Sequence, residues 1–283
     1  RMVRQHDSIE NEVSTSKYFT KAQKELYASL EDTLNAMGIL LDEGDLSLDT
    51  KDKLDMIDRD LYSLVYFVNH NYTSPPQKPK VYGEISSITE LRWFSEEATV
   101  EDYNNDWVLT TNIDATETHR WNPDEKEKGF QTIKPEISIN FDGQYHFIHG
   151  LYMTKVGGPP DIRPGFFNRV VGGSIKNFGL VNVYYNVPDD VSNGCQGAVL
   201  AGWVTDATIS KCFTHGQVTR SLSQSGGFIG RPQNEVVVSN CFAAVDMGPN
   251  INPYNSSFIA LPVLTLTLEN CYNIGESQGF VFF

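Results

Sequence analysis

Ile209-Ser210-Lys211-Cys212-Phe213, Val238-Ser239-Asn240-Cys241-Phe242 and Leu268-Glu269-Asn270-Cys271-Tyr272 are three copies of one phrase. A looser copy, Ile175-Lys176-Asn177-Phe178, precedes them. The steps from Phe178 to Cys212, from Cys212 to Cys241 and from Cys241 to Cys271 are nearly equal, the first being the longest. A second phrase keeps nearly the same period: Gly165-Phe166-Phe167, Gly197-Ala198-Val199, Gly227-Phe228-Ile229-Gly230, Ser257-Phe258-Ile259 and, after a shorter step, Gly279-Phe280-Val281. Self-similarity at a period of this order marks a solenoid, a propeller or an array. Each unit holds short β-branched and aromatic runs, with Gly and Asn at fixed offsets and no helical stripe. A unit this short cannot bury its apolar side alone, so units must stack. Stacking sets like residues above like, about 4.8 Å apart. The spacing predicts a mainly β chain built on a right-handed parallel β-helix. Cys212, Cys241 and Cys271 are expected as one buried, reduced column. Asn177, Asn240 and Asn270 are expected at one corner, because Asn enters the left-handed region at low cost. Lys211 stands at the same position of its own copy.

The chain has 283 residues and a net charge of −14, unevenly spread. Residues 81–164 carry 7 basic and 15 acidic side chains, whereas 165–283 carry 5 and 7. No basic stripe exists, which argues against nucleic acid and against anionic lipid surfaces. No stretch is apolar for long enough to insert in a membrane. The four cysteines do not make a disulfide framework in a chain this long, and no Cys-x-x-Cys occurs. Arg1 is not Met, and Phe283 falls inside a repeat, so a leader before and further coils after are both compatible with the sequence.

Two amphipathic stretches lie near the N-terminus. Ala22, Leu26, Leu30, Leu34 and Met37 make one helical stripe, and Leu54, Ile57, Leu61, Leu64, Val65 and Val68 make another. They predict a hairpin, a cap on the chain's own β-helix, or an oligomeric bundle, with a trimer favoured by analogy with fibres. Three prolines in Thr73 to Lys80 forbid a helix and favour an extended linker. The expected organisation is a helical anchoring or oligomerisation segment (1–72), a Pro-rich linker (73–82), a capping module (83–164) and the repeats (165–283). In the capping module, Ile85-Ser86-Ser87-Ile88 to Phe94 reads as a short strand then a helix. Trp107 to Asp114 reads as one strand, and Ile137 to Leu151 as another.

The repeats resemble the GLUG motif of bacterial surface proteins, whose core reads roughly Gly-Gly-Leu-Val-Gly, then Ile-Ser-Asn-Cys-Tyr. Gly226-Gly227-Phe228-Ile229-Gly230 with Val238 to Phe242 matches it best, and Lys211 departs from it. Tyr82 to Leu151 is similar to the module preceding such repeats, with Trp121-Asn122-Pro123 as its turn and Phe141-Asp142-Gly143 near its end. The resemblance covers about Tyr82 to Phe283 and implies a surface β-helix. It implies no activity, since the motif occurs in adhesins and in IgA-specific metallopeptidases alike.

Chemistry is sparse. No His is followed by Glu, so the His-Glu-x-x-His peptidase helix is absent, and no Gly-x-Ser-x-Gly elbow occurs. His146 and His149 lie three apart on one expected strand and so leave opposite faces, which disfavours a shared metal. No metal and no cofactor are expected. Trp203 is a candidate platform for a sugar ring. Asp206 and Glu235 stand one coil apart and are candidates to bind a glycan beside it. The reading is a non-enzymatic, extracellular surface module for adhesion or receptor binding, its partner a host or cell-surface glycan or protein. A bacterial adhesin and a phage or injection-machine fibre both fit. The alternatives are an enzyme acting on a polysaccharide in a lateral groove, either a hydrolase, which needs two carboxylates facing one cleft, or a lyase, which favours basic residues there, and a purely structural spacer.

Overall fold

The computed structural model describes Ala28 and residues 73–122, 129–154, 164–187, 197–220, 225–248, 255–260 and 266–275. Two compact units divide at Pro75 and Pro76, inside the expected linker. The two N-terminal stripes, Cys195 and the Gly279-Phe280-Val281 copy lie outside the described residues.

The second unit is a parallel β-solenoid with three walls. The first wall stacks residues 133–137 and 167–171 of the long strands β4 (Ile133–His149) and β6 (Phe167–Asn186), then β8 (Ala201–Thr205) and β12 (Ile229–Gln233). The second wall runs from β1 (Glu84–Ile85) and β2 (Asp106–Leu109) through 139–142 and 174–176. It continues to β9 (Thr208–Ser210), β13 (Val236–Ser239) and β15 (Leu266–Glu269). The third wall holds β3 (Ile113–Asp114), 146–149, 178–185, β10 (Phe213–Val218), β14 (Phe242–Met247) and β16 (Tyr272–Asn273). The short β5 (Tyr152–Thr154) pairs with the end of β6, and β7 (Gly197–Ala198) pairs with β11 (Ser225–Gly226). Every pairing named here is parallel, with residues one repeat apart set side by side.

Side-chain alternation then fixes the core. On the second wall Trp107, Phe141, Ile175, Ile209 and Val238 follow one another inward, and all are buried. On the third wall the inward column is Phe178, Cys212 and Cys241, with half-buried Cys271 after them. Each of these thiols donates to the carbonyl two positions back: Ser210 at 3.2 Å, Ser239 at 3.2 Å and Glu269 at 3.3 Å. All three are free, and burial pushes the Cys212 thiol up. They act as small hydrophobes filling one column.

The corner after the second wall is made the same way in four coils. Asn177, Lys211, Asn240 and Asn270 have φ of 52°, 54°, 54° and 52°. The corner before that wall uses Gly172, Asp206 and Asn234, also at positive φ.

Stacking extends upstream of Gly165. β4 pairs with β6 from Ile133 opposite Phe167 to His149 opposite Val181, so residues 133–149 are already a coil. The stretch from Trp107 to Asp114, expected as one strand, bends at 110–112 into β2 and β3, because it must pass from the second wall to the third. Helix α1 (Ile88–Glu96), capped by Ser87, lays Phe94 against Trp107 with ring centroids 4.6 Å apart. Within it Arg92 is fully buried, paired to Glu96 at 3.1 Å and set over the Trp121 ring at 4.5 Å. These contacts close the first coil, where unpaired strand edges would otherwise be exposed.

Two outcomes follow from the columns. Lysine in the left-handed region costs about 1–2 kcal/mol, and Asn much less. Lys211→Asn should therefore raise stability by about 0.5–1 kcal/mol in urea denaturation, with unchanged slope. Cys271 should be alkylated well before Cys212 and Cys241 in the native protein, as read peptide by peptide by mass spectrometry.

Candidate functional site

The outward columns decide what the solenoid can bind. On the second wall Asp106, Asn140 and Ser174 point outward, each one coil from the next. Asn140 Nδ2 donates to Asp106 Oδ1 at 2.9 Å, and Ser174 Oγ donates to Asn140 Oδ1 at 3.1 Å. Two positions further along each strand comes a second column, in which Val108, Asp142 and Lys176 are neighbours. Lys176 Nζ meets Asp142 Oδ2 at 3.3 Å. These two columns line a cleft of about 400 Å³, whose floor is the backbone around buried Trp107 and Phe141.

Asp142 is the most constrained group in the cleft. Burial alone would raise its pKa, but three donors outweigh it: Asn177 Nδ2 at 2.9 Å, the Gln144 N–H at 2.9 Å and Lys176. The carboxyl is held below the usual carboxylate range and stays ionised. It is an acceptor and a charge, not a proton donor. The cleft thus offers alternating acceptors and donors along a rigid sheet, with one compensated cation.

The sequence-derived candidates lie elsewhere. Trp203 is on the outer side of the first wall, in register with Arg169 before it and Arg231 after it. The Arg169 guanidinium stands 4.1 Å from the Trp203 ring centroid and that of Arg231 5.0 Å. Arg169 also pairs with Glu136 at 2.8 Å, so the column reads Glu136, Arg169, Trp203, Arg231. Both faces of the indole carry a guanidinium, and a pyranose ring would have to displace one to stack there. Asp206 and Glu235 do meet, at the corner. Asp206 accepts the Glu235 N–H at 3.3 Å and Asn234 Nδ2 at 3.0 Å, so its carboxylate shapes the turn. The structural ladder residues Asn177, Asn240, Asn270, Cys212, Cys241 and Cys271 hold the corner and inward columns already described.

Sequence reasoning passed over Asp106, Asn140, Asp142, Ser174 and Lys176. The signal was present: the step from Phe178 to Cys212 is the same as that from Asp106 to Asn140, from Asn140 to Ser174 and from Asp142 to Lys176. The period runs upstream of Gly165, where no cysteine marks it.

His146 is in register with Phe178 and meets Asn112 Oδ1 at 3.3 Å, whereas His149 is in register with Val181. Asn182 links His149 to His215, donating to the first at 3.1 Å from its side chain and to the second at 3.2 Å from its backbone. His146 and His149 thus have separate partners and share no site. Among the described residues no group of three His, Cys, Asp or Glu side chains is placed to hold a metal. No helix among them is long and apolar enough to cross a membrane.

No protein-family model matches the chain, and no curated protein matches it. Among solved structures it is similar to a Bacteroides ovatus protein provisionally named an immunoglobulin A1 protease. Identity is 15%, the match covers 67% of this chain and 74% of that chain, and the TM-score is 0.34.

Trp203 joins three coils, and each cation–π contact contributes about 0.5–2 kcal/mol. Trp203→Ala should destabilise the protein by at least about 2 kcal/mol in denaturant titration, and Trp203→Phe by less.

Acid should also unfold the solenoid, by a definite sign. Asp142, Asp102, Asp114 and Glu90 all have carboxyls held below their ordinary values in the folded chain. In Asp114 the Thr116 N–H is the main cause; in the others donors outweigh burial. The unfolded chain then binds more protons as pH falls. Stability should be flat above about pH 5 and drop below it, as the unfolded carboxyls and then the folded ones protonate. Asp142→Asn should flatten the fall.

Proposed function

We propose that this chain is a non-enzymatic recognition module that holds a neutral saccharide along the outer trough of its second wall. The observation that carries the reading is the trough itself: Asp106, Asn140 and Ser174 in one outward column, Asp142 and Lys176 in the next, around about 400 Å³ of open space. Saccharide hydroxyls both donate and accept, and a rigid row of acceptors and donors at the coil spacing answers them without reorganisation. Hydrolysis would need one carboxyl kept protonated near neutral pH. The surroundings of Asp142 drive it the other way, so it is not that acid.

The resemblance of the repeats to GLUG sequences supports a setting on a cell or virion surface, as an adhesin or a fibre. The N-terminal stripes would then anchor or oligomerise the module. The scarcity of cationic side chains in the repeats suits a neutral partner better than a nucleic acid.

A glycan array followed by calorimetry tests the reading. A neutral oligosaccharide should bind, and Asn140→Ala and Asp106→Ala should each weaken it at least tenfold while the folded far-ultraviolet signal is retained. Ser174→Ala, a milder change, should weaken it less. Binding that survives all three substitutions, or release of reducing or unsaturated ends from a polysaccharide panel, would contradict the proposal.

A further inference from the structure

The trough is bounded on one side by the corner between the second and third walls, and the turn beside it differs from the later ones. Asp142 is in register with Lys176 and His146 with Phe178, so Gly143, Gln144 and Tyr145 stand where the next coil has Asn177 alone. Gln144 and Tyr145 both lie in the left-handed region, with φ of 49° and 65°. That backbone is costly for a bulky residue, and such strain gathers at binding sites. Tyr145 is also 73% exposed, more than any other large apolar side chain among the described residues. Its ring is therefore not packed into the wall, whereas that of Trp203 carries a guanidinium on each face.

The turn is fastened to the trough through Asp142, one of the residues that line it. Asp142 Oδ1 accepts from the Gln144 N–H and from Asn177 Nδ2, both at 2.9 Å. Gly143 lies so close to the next coil that a Cβ there would be 2.3 Å from the Asn177 carbonyl oxygen. Lys211 turns the same corner two coils after Asp142, yet its Nζ stands 6.0 Å from the Tyr145 ring centroid. The ring thus leans along the corner, on the flank of Asp142 and Lys176. Lys211 is also the one member of its corner column that is not Asn. Two residues in costly backbone meet at this place, although Asn serves at the other corners of the column and stacking alone requires neither.

We propose that Tyr145 and Lys211 form a rim subsite of the trough for a gluco-configured pyranose unit. All hydroxyls of such a ring are equatorial, so its faces present C–H groups to the negative face of an aromatic ring. The Lys211 ammonium, a donor in three directions, meets the hydroxyls at the ring's edge. That the ligand is a saccharide rests on the trough reading; that one of its rings is stacked rests on the turn.

The experiment is calorimetry with cellotetraose, with urea denaturation of each variant beside it. Tyr145→Ala should weaken binding about tenfold, and Tyr145→Phe, which keeps the ring, by much less. Tyr145→Gly should lose binding as Tyr145→Ala does while its urea midpoint holds or rises, because glycine accepts the left-handed turn. Lys211→Asn should bind more weakly with a raised midpoint. Undiminished binding in Tyr145→Ala or in Lys211→Asn would overturn the subsite. So would a fall in the midpoint of Tyr145→Gly, the mark of a structural residue, or a parent that does not bind cellotetraose. The trough reading fails separately, when Asn140→Ala and Asp106→Ala leave a neutral oligosaccharide bound as before.

Discussion

Everything in the second unit depends on backbone pairing between one coil and the next, in parallel and in register. A buried N–H or C=O without a partner is costly, so each wall must keep its residues opposite the same positions one repeat away. Repeat lengths nevertheless vary: the step from Phe178 to Cys212 is longer than the one from Cys212 to Cys241. The variation is absorbed between walls and at bulges. Registers shift between Asp142 and His146 against β6, and between Thr214 and Gly216 against the same strand. The corner column of Asn177, Lys211, Asn240 and Asn270 brings each coil back to a common start. The solenoid is thus a set of fixed columns joined by adjustable links.

Those columns explain which parts of the fold could be read from the sequence. Asn before Cys, and Cys before Phe or Tyr, repeat because corner, inward place and outward place follow one another on a pleated chain. That triplet reveals the third wall directly. Phe213, Phe242 and Tyr272 are the outward member, with rings stacked 5.1 Å apart and nearly parallel. In the first of the four coils the outward place holds Gly179, and a Cβ there would lie 2.3 Å from the Phe213 ring. Chemical identity is lost at that position while spacing is kept, which is why the first copy looked loose.

The lead-in coils were harder to read for the same reason. Trp107 and Phe141 do the inward work of Ile175 and Ile209, but they are larger, and the ring of Phe94 from α1 packs against both. Their outward neighbours, Asp106 and Asn140, differ in type from Ser174 and Thr208, and Asp106 differs in charge as well. Only the constant step along the chain from Asp106 to Asn140 to Ser174 to Thr208 connects them. Trp203 illustrates the converse. A lone Trp in a neutral repeat suggests a platform for a ligand, yet its ring faces are taken by Arg169 and Arg231. No local sequence pattern announces those partners, because each lies a whole coil away along the chain. The chemistry on the outside is therefore assembled by the period, not by any contiguous motif.

The lead-in coils and the repeats form one continuous solenoid by their pairing, so that the trough sits on a rigid sheet rather than between separate modules. Native-state hydrogen exchange, followed by mass spectrometry across a denaturant series, tests this most directly. In repeat architectures protection is set by neighbouring coils and falls toward the ends. Opening free energies should fall gradually from β9 and residues 174–176 through 139–142 to β2, with no step between the repeats and the lead-in coils. Exchange of residues 84–154 as a separate unit, opening at lower denaturant than the repeats, would contradict it.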